Sequence, residues 1–114
     1  MQAAMLRQVE ESIAQQRKTI EYGDALERLK SNRDFKKLIT EGYFEKEAIR
    51  LVFAKSNPAL QSEESQKSLD NQINAIGSFE QYLHGISHSA EMARKNIGFD
   101  EATREEILQE GTQQ

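Results

Sequence analysis

LDNQINAIGSFEQYLHGISHSAEMARKNI, residues 69–97, carries apolar side chains at Leu69, Ile73, Ile76, Phe79, Leu83, Ile86, Ala90, Ala93 and Ile97. The eight steps between them cover 28 residues, a mean close to 3.5. A strand would alternate with a period of two, so this spacing predicts a helix, over about 65–97. Because the step falls just short of an α-helical turn, the apolar residues keep to one narrow line, as in the seam of a coiled coil.

A second narrow line lies nearer the N-terminus. Leu6, Val9, Ile13 and Ile20 are spaced by threes, fours and sevens, with Gln16 where another apolar residue would fall, and this predicts a helix over about 3–30. Tyr22, Leu26 and Leu29 continue it after a local shift, and Gly23-Asp24 can break or bend it. The flanks are Gln, Glu, Arg and Lys. Isolated helices with so little apolar surface are marginal in water and need a partner. The seam residues Leu6, Val9, Ile13, Ile20, Leu69, Ile73, Ile76, Leu83, Ile86 and Ala90 can pack within one chain, but their narrowness favours pairing with copies of the chain.

Between the two lines, residues 32–56 read as a compact helical hairpin. Ser31 or Asn32 can cap its first helix, on which Phe35, Leu38 and Ile39 form the buried face. Gly42 suits the left-handed residue that ends such a helix. A second helix follows, with Phe44, Ala48, Leu51 and Val52 on one side, while Ile49 and Phe53 widen the apolar surface enough to make this the most enclosed helix. Asn57-Pro58 stops it, since the residue before proline is pushed out of the helical region. The expected hairpin core is Leu26, Leu29, Phe35, Leu38, Ile39, Phe44, Leu51 and Val52. LQSEESQKSLDNQ, residues 60–72, is either a loop or the solvated start of the long helix. Gly98-Phe99 reads as a helix stop, followed by a short helix over about 101–110 and the tail GTQQ.

Composition agrees with an all-α chain forming a single helical domain over residues 1–114: two long, narrow-seamed helices joined by a compact helical hairpin, with a short C-terminal helix. One proline and six glycines in 114 residues leave few turns, and the 7% aromatic content with no tryptophan implies a thin aliphatic core. The absence of cysteine excludes disulfides and thiolate metal sites. A net charge of −4 argues against nucleic acid as a partner. MQAAMLRQVEES is too charged for a secretory leader, and no apolar run reaches the roughly 20 residues that cross a bilayer.

His84 and His88 are the only histidines and stand four apart, with Glu80 before them and Glu91 after. On a helix these side chains form a line. Imidazoles so placed can share zinc, but the glutamate that follows the first histidine in helical metalloproteases is Gly85 here. The plainer reading is two seam-side histidines bonded to nearby carboxylates, so no metal or other cofactor is expected. A pH-sensitive contact between protomers is a variant of that reading. Gly77 and Gly85 either admit a neighbouring backbone or are tolerated on an exposed face. No nucleophile–base pair or phosphate-binding loop accompanies them, which argues against an enzyme.

ALERLKSNRDFKKLITEGYFEKEAIRLVFAKSNPALQ, residues 25–61, resembles small helical proteins encoded by tailed bacteriophages. The resemblance lies in Leu26 and Leu29; Asn32, Asp34, Phe35, Lys36, Leu38 and Ile39; Gly42, Tyr43 and Phe44; and Glu47, Ala48, Arg50 and Leu51. It carries no activity onto particular residues. It implies a virion structural or assembly component of the scaffolding or connector type, acting as a homo-oligomer in the host cytoplasm and virion. Capsid, portal or tail proteins would be its further partners. The alternative it leaves is an early binding module that sequesters a host protein or a small signalling ligand.

Overall fold

The computed structural model describes residues 2–113. They form three helices and no strand: α1 (Gln2–Ser31), α2 (residues 33–54) and α3 (Glu63–Gln113), with one 3-10 turn at Pro58–Leu60. None of these helices is long and apolar enough to cross a membrane. Long-range packing divides the chain into two compact units, residues 1–26 with 86–114, and residues 27–85.

In the first unit α1 and α3 run antiparallel. Gln2 Nε2 donates to the Ile107 carbonyl at 2.6 Å, Ser12 Oγ to Asp100 Oδ2 at 2.5 Å, and Arg94 to Asp24 Oδ1 at 2.7 Å. These bonds set the register, while burial of Ile13, Ala90, Ala93 and Ile107 supplies the hydrophobic stabilisation. The Asp24–Arg94 pair is half exposed on both sides, so it contributes well under about 1 kcal/mol. Gly23 does not break α1. A Cβ there would run into that of Ala90, so glycine lets the two helices approach closely.

In the second unit α2 lies antiparallel to the first half of α3. Leu51, Leu69 and Ile76 form the core, covered by Tyr43, Phe44, Ala48, Ala54, Leu60 and Ile73. Phe44 and Phe79 meet at 5.5 Å between ring centroids, and Tyr43 joins them edge-on to Phe79 at 6.2 Å. Lys55 Nζ bonds Asp70 at 2.5 Å. The polar connection is ordered by its amides. Gln66 Nε2 donates to the carbonyls of Lys55, just past the end of α2, and Leu60, at the end of the 3-10 turn, at 3.0 and 2.8 Å, which satisfies acceptors left over at both ends. Ser62 Oγ accepts from the Ser65 N–H at 3.1 Å and caps α3, and Glu63 and Glu64 complement the positive end of the helix.

Asn32 is the whole joint between α1 and α2. Its backbone is extended (φ −69°, ψ 129°), and its side chain accepts the Asp34 and Phe35 N–H groups at 3.0 Å each. Asn57 likewise caps the turn begun by Pro58, bonding the Ala59 N–H at 3.0 Å.

Three expected stops or breaks are corrected. No residue adopts a positive φ among those described, so Gly42 and Gly98 lie within helices as Gly23 does. The expected hairpin at 32–56 is therefore one helix that turns to α3 for its partner. The long helix expected to end at 97 and the short one at 101–110 are a single α3 that runs to Gln113; the last residue of the expected tail, Gln114, lies outside the described residues.

The middle of α2, Lys36–Glu47, is wound as a π-helix between α-helical ends at Arg33–Phe35 and Ala48–Ala54. Its i→i+5 ladder takes more than four residues per turn. That winding suits the sequence, because the covered residues Phe35, Ile39, Phe44 and Ala48 are spaced by four, five and four. An α-helix would carry these positions around its circumference, whereas the wider turn keeps them on one side. It also brings the Lys37 carbonyl to 3.0 Å from where a Cβ at position 42 would stand, a tight contact that glycine avoids.

Candidate interaction surface

The expected seams are covered within the chain. Ile13 and Ala90 are buried in the first unit, Leu69 and Ile76 in the second. Leu6, Val9, Ile20, Ile73, Leu83 and Ile86 are partly buried. Within this chain the stripes thus pack inside each unit. Of the expected hairpin core, Leu26 and Leu51 are buried and Phe35, Ile39 and Phe44 partly so, while Leu29, Leu38 and Val52 are exposed. The phase change through the π-helical segment displaces Leu38 from the line that an α-helical period assigns it, whereas Val52 shares the α-helical end with Leu51 and stands about 100° around the helix from it.

What remains open lies on the last two turns of α2. AIRLVFA, Ala48–Ala54, is apolar nearly all round, a composition that ordinarily marks a helix enclosed on every side. Here only one side is enclosed. Leu51 is 1% exposed, yet Ile49, Val52 and Phe53 are 56%, 59% and 71% exposed. Ile49 and Phe53 stand two residues either side of Leu51, more than half a turn away, and are themselves neighbours four apart. Lys46, one turn before Ile49, borders this face. Arg50 is held by Glu47 on its own helix and Lys55 by Asp70, so both spend their charge locally. The sequence marked Ile49 and Phe53 as apolar but assigned them to an enclosed surface.

The histidines do not build a site. Both are exposed, and His84 Nε2 stands 3.9 Å from Glu80 Oε1, beyond hydrogen-bond range. No group of three metal-ligating side chains occurs among the described residues. Gly77 and Gly85 have open space where a Cβ would go, so neither serves a close approach. Gly85→Ala is accordingly expected to raise stability by about 0.5–1 kcal/mol through helix propensity alone, read as a higher urea midpoint. A lower midpoint would show a packing role for this glycine.

Charge is unevenly divided along the chain. Residues 30–55 hold seven Lys and Arg against four Asp and Glu, whereas residues 100–110 hold five acidic residues and only Arg104. Comparisons with protein-family models, curated proteins and solved structures find no match.

Proposed function

We propose that this chain is a non-enzymatic helical assembly component that works as a homo-oligomer through the exposed face of α2. The observation carrying this reading is the exposure of Ile49 and Phe53 on the side of the helix opposite the buried Leu51, with the exposed Val52 on its flank. Contiguous apolar surface of this kind marks an interaction site. The occupant we assign is a second copy, because one chain bears both a basic segment around α2 and an acidic segment at the end of α3, and opposite charges favour encounter between copies. The resemblance of residues 25–61 to small helical phage proteins supports placing this assembly in a virion or in its construction.

The test is Phe53→Glu followed by sedimentation equilibrium. An exposed position tolerates the change within about 0.5 kcal/mol, so helicity is retained. The wild type is expected to be oligomeric and the variant monomeric. A variant as oligomeric as the wild type would remove this face from the account.

A further inference from the structure

We infer that α2 has two windings, the π form described above and an α form, and that rewinding Lys36–Glu47 carries Phe35 and Ile39 from the covered side of the helix to the side of Ile49 and Phe53. The sequence of α2 holds a separate line for each winding. Phe35, Ile39, Phe44 and Ala48, spaced by four, five and four, follow the π turn and are all partly buried. Phe35, Ile39, Gly42, Lys46, Ile49 and Phe53 are spaced by four, three, four, three and four, a mean of 3.6, which is the α turn. Phe35 and Ile39 belong to both lines, so the winding decides which one they join. Ile39 lies nine positions before Ala48. That separation is about two turns of the wider helix but about two and a half of an α-helix, which sets Ile39 on the opposite side. Phe35, thirteen positions before Ala48, moves with it. The α form therefore extends the exposed Ile49–Phe53 pair into a line along the whole of α2, with Leu38 on its flank.

The two forms are close in stability because two modest terms oppose each other. π winding is rare and mostly confined to single-turn bulges, so a run of twelve residues goes against the backbone's own preference. What holds it is the cover given to Phe35 and Ile39, yet both are only partly buried and no residue of Lys36–Glu47 is fully so. Asn32 is the one residue between α1 and α2 that belongs to neither helix, and turning at that end is taken up there. Gly42 is the position that senses the winding. In the π form a methyl group there would stand 3.0 Å from the carbonyl of Lys37, five positions back. In an α-helix alanine is the most favourable residue of all. The switch lies within one chain, so it stands or falls separately from the self-association proposed above.

Gly42→Ala in the full-length chain tests this. The chain has no cysteine, so a single Ile39→Cys reports its own position by the rate of thiol labelling. Ala48→Cys, on the covered side in both forms, is the control. Gly42→Ala is expected to speed labelling at position 39 by about fivefold or more and to leave position 48 unchanged, as a shift of population toward the α form requires. Scalar couplings across the backbone hydrogen bonds, measured by NMR without any cysteine, read the winding itself. They are expected to join each amide of the segment to the carbonyl five residues back in the wild type and four back in Gly42→Ala. Five-residue couplings in both chains would leave the π form as the only winding and overturn the switch. Four-residue couplings in the wild type would overturn it as well. So would labelling that rises equally at 39 and 48, because α2 would then be detaching as a whole instead of rewinding.

Discussion

Leu51→Ala is expected to lower the stability of the second unit by about 3 kcal/mol, within the 2–5 typical of a buried leucine truncated to alanine. The side chain is 1% exposed and packs with Leu69 and Ile76 beneath Ala48, Ala54 and Ile73. The loss has two parts, the transfer free energy of the deleted carbons and the cavity they leave between two rigid helices. Val52→Ala supplies the control. Val52 is adjacent in sequence but exposed, so its truncation should change stability by no more than about 0.5 kcal/mol. Urea unfolding followed by circular dichroism reads both. Equal effects at 51 and 52 would mean that the buried side of α2 is wrongly assigned.

Gly23→Ala is expected to destabilise the first unit, reversing the usual sign of a glycine-to-alanine change in a helix. Propensity alone would add about 1 kcal/mol. Against it, the new methyl would occupy the place of the Ala90 Cβ, and α1 and α3 would have to separate. Overpacking of this kind costs about 1–3 kcal/mol, so a net loss is expected, larger still for Gly23→Leu. Ala90→Gly should rescue Gly23→Ala, since it vacates the contested space, and the resulting double-mutant coupling would localise the effect. Stabilisation by Gly23→Ala without Ala90→Gly would contradict the close approach.

These two sites show what was legible in the chain. The spacing of Leu69, Ile73, Ile76 and Ala90 identified a helix and its covered side, because burial of apolar area imposes that period directly. Asn32 and Asn57-Pro58 were legible as boundaries because their side chains and the proline ring act locally. Gly42 and Gly98 misled, since glycine occupies the helical region as readily as the left-handed one, and the packing of neighbouring helices decides between them. The intervals Phe35–Ile39–Phe44–Ala48 did contain the π-helical period, but an α-helical template divides them between two faces and assigns Leu38 to the core. The candidate surface was least legible. Composition marks Ile49, Phe53 and Phe99 as apolar, and only the fold shows that α3 covers the Leu51 side of α2 and leaves the other side bare.

Ile76 is buried against Leu51 and Leu69, so an aspartate there would disrupt the second unit itself instead of separating intact protomers. Assembly must be probed on the outward residues.

The most direct test of the central claim is the native mass of the full-length wild-type chain, measured by mass spectrometry from a volatile buffer of low ionic strength, where attraction between the basic and acidic segments is least screened. The proposed self-association predicts a dominant mass at a whole multiple of the protomer, two or more. A single monomeric mass across the accessible concentration range would contradict it, and would leave the Ile49–Val52–Phe53 face without a copy of this chain as its partner.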